Sequence, residues 1–179
     1  EAADPWREIK RDQGVTVWSR DEPGRALPTF KGRGVVKGSI HHLMAVILDN
    51  RRAPEWVDRC VLSEEIERSN ARETVVYSRA DSPWPVADRD TVVRVTTQVI
   101  RGNEEYRIAM RSIRGRRPHV DGVVRIEHSH IYFHLRRLDE RRTEVVYSLN
   151  VDPGGALPKW IVRLSTRSMP VETIRALER

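Results

Sequence analysis

Cysteine is almost missing from these 179 residues: Cys60 stands alone, which excludes an internal disulfide and any multi-cysteine metal cage. It reads as a small apolar core residue. No run of 18 or more apolar residues occurs, so the sequence offers no helix that crosses a bilayer. Lysine is scarce as well, with four Lys against 28 Arg. The charge is 32 minus 26, or +6, but the basic pairs Arg51/Arg52, Arg116/Arg117, Arg136/Arg137 and Arg141/Arg142 lie far apart and are diluted by acids. That is a mixed solvated surface, and no nucleic-acid partner is expected. A Walker sequence and a glycine-flanked nucleophile elbow are both absent. Gly32, Gly34 and Gly38 fall on alternate residues inside a strand pattern, where curvature or close packing explains them better than a phosphate loop does.

What is present is a strand-rich chain of one domain, residues 1–179, closed by one long helix. Asp4-Pro5-Trp6 suggests a short helix to about Lys10. Strands are expected at Val15 to Arg20 and Phe30 to Gly38, then a helix from Ile40 to Leu48 capped by Ser39. A turn or short helix follows over Asn50 to Trp56. Beyond it come strands at 59–67, 73–80, 90–101, 105–113, 122–127, 131–138 and 143–151. Alternation puts Val93, Val95, Tyr106, Ile108, Met110, Phe133 and Tyr147 on one face, and Arg94, Gln98, Arg107, Arg111, His134, Arg136 and Glu144 on the other. After the Gly154-Gly155 turn and Pro158, the residues Trp160, Ile161, Leu164, Met169, Val171, Ile174 and Leu177 recur at helical spacing and predict the face laid on the sheet. Pro170 lies inside this helix and should kink or break it. A broad twisted sheet under one helix leaves room for an internal space.

Four stretches in fixed order, PWPVADRD (83–90), GVVRIEH (122–128), DPGGALPKW (152–160) and the apolar helix, together with GVTVWSR near Val15 and FKG at Phe30, resemble the START (steroidogenic acute regulatory protein related lipid transfer) domain, in particular its bacterial members. The resemblance spans the whole chain. It implies an α+β helix-grip fold, a curved antiparallel sheet wrapped around the C-terminal helix with an internal hydrophobic tunnel for one lipid or sterol-like ligand. The expected lipid contacts are Trp84, Arg89, Val93, Val95, Tyr106, Ile108, Met110, Phe133, Tyr147, Trp160, Ile161 and Leu164. The expected gate comprises Trp84, Pro85, Val86, His119, Val120 and Pro170, from the loops 81–88 and 114–121 and the helix. In sterol-binding relatives the arginine matching Arg89 points into the tunnel and pairs with an acid on the preceding strand; here that place falls near Val76 and Tyr77, so Arg89 is expected either in a salt bridge to Asp88, Asp90 or another acid, or against a ligand head group. Trp84 is expected on the helix or at a membrane interface.

Catalysis has a weaker claim. His128, His130 and His134 share strand parity but lack a convergent carboxylate or cysteine, so no metal and no cofactor is expected. The competing readings are a cyclase-like enzyme using Arg89, Tyr77, Tyr106 or Tyr147 for proton transfer, and a protein-interaction module with a filled core. The favoured reading is a non-enzymatic, monomeric carrier or sensor that touches membranes transiently. The start at Glu1-Ala2-Ala3, without methionine, leans toward a periplasmic or otherwise exported protein over a cytoplasmic one.

Overall fold

The computed structural model describes residues 4–179; residues 1–3, on which the export expectation rests, lie outside the described residues. The helix expected from Asp4 to Lys10 is instead a strand, β1 (Arg7–Asp12), paired antiparallel with β2 (Val15–Arg20). Between them Gln13 and Gly14 both take positive φ, 49° and 73°, as a two-residue hairpin turn requires. Pairing across that turn outweighs the local capping signal.

β2 pairs in turn with β3 (Thr29–Lys37), after which Ser39 accepts a hydrogen bond from the His42 N–H and starts α1 (Ile40–Leu48), where the sequence places it. A 3-10 turn at Asn50–Arg52 and the short α2 (Ala53–Trp56) carry the chain to the far edge of the sheet. From there it returns hairpin by hairpin through β4 (Cys60–Asn70), β5 (Glu73–Ala80), β6 (Arg89–Arg101), β7 (Glu105–Ser112), β9 (His128–Arg137) and β10 (Arg142–Asp152). β10 docks on β3, giving the order β1-β2-β3-β10-β9-β7-β6-β5-β4 in one curved sheet. The simple meander expected from consecutive hairpins is therefore cut once, by the helical crossover after β3. The strand expected over 122–127 shrinks to β8 (Val124–Arg125), which pairs parallel with Arg89 and Asp90 before the chain turns into β9.

The inner face is apolar on every strand of the middle of the sheet. α1 and α2 cover its β9 and β4 side, and α3 (Lys159–Ala176) covers β2, β3 and β10. Gly32 makes the second contact possible: a Cβ there would sit 2.6 Å from Cβ of Pro170. Only a residue without a side chain admits the helix so closely. The expected break at Pro170 does not occur, and α3 runs on through a proline whose ring is buried against that glycine. A smaller cluster of Val75, Tyr77 and Val92, flanked by Ile66 and Ile113, lies on the outer face.

Candidate functional site

Alternation along β6, β7, β9 and β10 gathers Val93, Val95, Ile108, Phe133 and Tyr147, with Tyr106 and Met110 packed beside them, in one inner cluster that also takes Leu43 and Ile47 of α1. The rings of Phe133 and Tyr147 lie 4.9 Å apart, and Trp56 of α2 meets Phe133 edge-on at 6.5 Å. Burial pushes the Tyr147 hydroxyl up to about 12, with Thr173 opposing, so it keeps its proton at ordinary pH. Two polar atoms in this interior have no partner: Trp56 Nε1 and Thr91 Oγ1 are buried without a hydrogen bond. Thr91 shares the face of β6 that carries Arg89 and Val93. Trp56 was missed from sequence because it sits on a four-residue helix with no periodicity to read.

Arg89 is 7% exposed and pairs with no acid among the described residues, contrary to the salt bridge expected to Asp88 or Asp90. Its guanidinium donates to three backbone carbonyls instead, those of Ala87, Pro153 and Gly154. Neighbouring strand residues point to opposite faces, so Asp90 is turned away from it. A Cβ on Gly155 would fall 2.8 Å from Arg89 Nη2, and Gly155 also needs its positive φ of 72°. Arg89 thus fastens the loop 81–88 to the turn that precedes α3. On the other face Asp90 accepts from Arg125 Nε at 2.6 Å and from the Tyr77 hydroxyl at 2.9 Å. Burial alone would raise the Asp90 carboxyl, but the Arg125 and Tyr77 hydrogen bonds prevail and hold it below the usual carboxylate range. Arg125 was not singled out from sequence although it lies in an expected strand, because its approach to Asp90 comes from the parallel pairing of β8 with β6, which strand periodicity does not show.

The first half of α3 departs from the predicted face. Trp160 is 64% exposed, Leu164 63% and Ile161 39%, so these three do not line the interior; Val162 is buried in their place. This half is held by arginines reaching back to carbonyls, Arg163 to Ala26 and Arg167 to Ile9. The second half buries Pro170, Val171, Ile174 and Leu177, so Pro170 lies in the anchored part of the helix. Trp84 also lies outside, 93% exposed, on a loop tied at its base where Asp88 pairs with Arg79 at 2.9 Å and accepts from the Ser82 N–H. Pro85 and Val86 share that loop.

The loop 114–121 is strapped to the outer face, not to α3. Arg117 pairs with Glu64 and stacks over the Tyr77 ring at 4.3 Å, and Arg116 pairs with Glu67 at 3.1 Å. His119 and Val120 ride on this strap, exposed. Further along the same segment β8 reaches the turn before α3, where Val124 lies 3.6 Å from the place of a Gly154 Cβ. His128 is engaged by Asn150 and His134 by Glu105, each at 2.6 Å, and among the described residues no three His, Cys, Asp or Glu gather as a metal site.

Two hollows open on the surface, about 600 Å³ among Arg94, Arg107, Arg111 and Tyr132 on the outer face and about 520 Å³ between Asn50, Arg51 and Glu64. Neither is lined by the buried side chains of the inner cluster.

The START domain family model matches residues 2–177. A phosphatidylcholine transfer protein from Bos taurus is 26% identical over 167 residues, covering 91% of this chain and 78% of the relative. The crystal structure of a STAR-related lipid transfer protein fragment from Xanthomonas axonopodis superposes with a TM-score of 0.87 at 25% identity, over 98% of this chain and 97% of that one. The Zhui aromatase/cyclase from a Streptomyces species shares the fold alone, with a TM-score of 0.61 at 16% identity over 83% and 90% of the two chains.

Proposed function

The chain belongs to the START domain family, and from that premise we propose that it encloses one amphiphilic lipid between the inner face of the sheet and its helices, and carries or presents it without chemistry. The observation that carries this reading is the pair of unpartnered polar atoms, Trp56 Nε1 and Thr91 Oγ1, inside an otherwise apolar cluster. Buried polar groups without partners are rare in folded proteins and costly. A guest with an oily body and a hydrogen-bonding group answers both features at once. Burying about 400 Å² of apolar ligand surface supplies roughly 10 kcal/mol, against which stands the cost of parting the cluster.

Access runs through the first half of α3. Its ties are hydrogen bonds to carbonyls, and releasing Arg89 frees the preceding turn from the loop 81–88. Trp84, Trp160, Ile161 and Leu164 face water beside Lys159 and Arg163, the mixture of indole, aliphatic and cationic groups that suits a membrane interface. Proton-transfer candidates do not converge: Tyr77 lies on the outer face, the Tyr106 hydroxyl accepts from the Asn103 N–H at 3.2 Å, and Tyr147 holds its proton. The three tyrosines therefore do not form one acid–base site.

The test is native mass spectrometry of the delipidated chain after incubation with mixed lipid vesicles. One bound lipid per chain is expected; a chain that stays empty under all lipid mixtures overturns the carrier. Trp56→Phe keeps the ring and removes the unpartnered N–H, so it should fold at least as well as the parent while retaining lipid less firmly.

A further inference from the structure

On the outer face the strand register sets Arg94 opposite Arg111 and Arg111 opposite His130, three basic side chains in line on β6, β7 and β9. Like charges directly across a ladder repel and lower stability. Elsewhere on this face the basic residues are matched, Arg136 by Glu144 and His134 by Glu105. Arg107 and Arg111 form no ion pair with any described residue; both lie against the Tyr132 ring, 4.5 and 5.4 Å from its centroid, and Arg111 donates to the Tyr132 hydroxyl. Arg94 has Glu73 3.3 Å from its Nε, yet that Nε is buried and makes no hydrogen bond, because the carboxylate lies off its axis. Together these side chains bound the groove of about 600 Å³.

We propose that this groove is a binding site for a small phosphate-bearing anion with two or more negative charges. The three guanidiniums supply charge-assisted donors in the planar fork that matches phosphoryl oxygens, and stacking on Tyr132 holds two of them in place. Orthophosphate would fill only a small part of the groove, which favours a di- or triphosphate or a phosphate ester with a body to rest on Tyr132, Thr96 and Ala109. His130 reports the field: burial first, then the charges of His128, Arg111 and Arg25, lower its affinity for a proton. An anion among the arginines reverses that influence. The phosphate comes either free or on a lipid head group, and the site lies on the face of the sheet opposite the lipid interior.

Inorganic pyrophosphate, titrated at low salt into the full chain and followed by NMR of the His130 ring, should saturate and raise the pH at which His130 protonates. Arg107→Gln/Arg111→Gln should weaken binding by about tenfold or more, the loss of at least one charged hydrogen bond. Arg136→Gln, on the same face but outside the groove, should bind as the parent does. Relieving the repulsion, the double variant should melt no lower than the parent, and Arg111→Lys, which keeps the charge and loses the fork, gives the same loss of binding as a second check. Phosphatidylcholine vesicles with and without phosphatidic acid separate the sources: binding to the doped vesicles that the double variant weakens, without binding to pyrophosphate, assigns the head group, and the reverse assigns a free anion. Pyrophosphate binding that survives the double variant or falls equally in Arg136→Gln, or the absence of any binding to either probe that the double variant weakens, overturns the site. Lipid loading of the interior should be unchanged by the double variant, so failure of the carrier reading and failure of this one are read separately.

Discussion

The two halves of α3 are one continuous helix held in two different ways. After Ser168 the helix is welded by burial: Pro170 fills the gap over Gly32, and Val171, Ile174 and Leu177 sink into the apolar cluster. Before it, Trp160 and Leu164 stand in water and the helix is fastened by arginines on carbonyls, Arg163 and Arg167 from the helix and Arg89 from the sheet. Apolar burial is released only by exposing the whole contact, whereas a hydrogen bond to a carbonyl is exchanged for water at a net cost of about 1 kcal/mol. On the carrier proposed above, the first turn of this helix is the part that opens and the last the part that stays seated. That difference is what a gate over a closed interior needs, and each half makes a distinct prediction.

The largest effect belongs to the welded half. Ile174→Asp places a charge with no partner where the parent side chain is wholly buried, and should cost about 4 kcal/mol or more, most of the margin of an ordinary domain. Loss of a cooperative thermal transition checks it; an unchanged melting temperature would break the comparison. Gly32→Ala comes next. The added Cβ would meet the rigid Pro170 ring at 2.6 Å and the Val15 side chain at 3.2 Å, an overpacking worth about 1 to 3 kcal/mol by denaturant titration.

These two positions also mark what could be read from the letters alone. The alternate glycines signalled close packing and the helix stripe signalled burial, so the inner cluster was legible as a periodicity, whereas the seating of Pro170 on Gly32 was not, since a proline inside a helix signals a kink. Ser39 and its helix were legible because capping is local. Trp160, Ile161 and Leu164 were not, because a residue meant for a core and a residue meant for an interface are both apolar, and spacing carries no record of which way a half-anchored helix faces. Arg89 and Asp90 were legible as a pair of charges but not as partners. Their separation follows from strand alternation, and the identity of Asp90's true partner depends on how a long loop folds over the outer face. Lys159, Arg163 and Arg167 beside Trp160 and Leu164 were the available hint that this half meets something other than the sheet.

The latch sharpens the comparison at intermediate scale. Arg89→Leu leaves the carbonyls of Ala87, Pro153 and Gly154 without their shared donor, at a cost of about 2 kcal/mol spread over the site. If the latch guards access, most of that appears as faster lipid exchange between vesicles, on the order of tenfold, and little as a lower melting temperature. A large fall in melting temperature with unchanged exchange would place Arg89 with the welded half instead.

Leu164→Asp should change stability least of all. At 63% exposure its side chain gives up little buried surface, so the melting temperature should move by no more than about 0.5 kcal/mol implies. Association with anionic vesicles should nevertheless fall, since a carboxylate next to Trp160 is repelled where the leucine was attracted. A sedimentation assay with and without vesicles separates the two quantities. Should Leu164→Asp unfold the protein as Ile174→Asp does, the helix would be held evenly along its length, and the gate would have to be sought at another edge of the sheet.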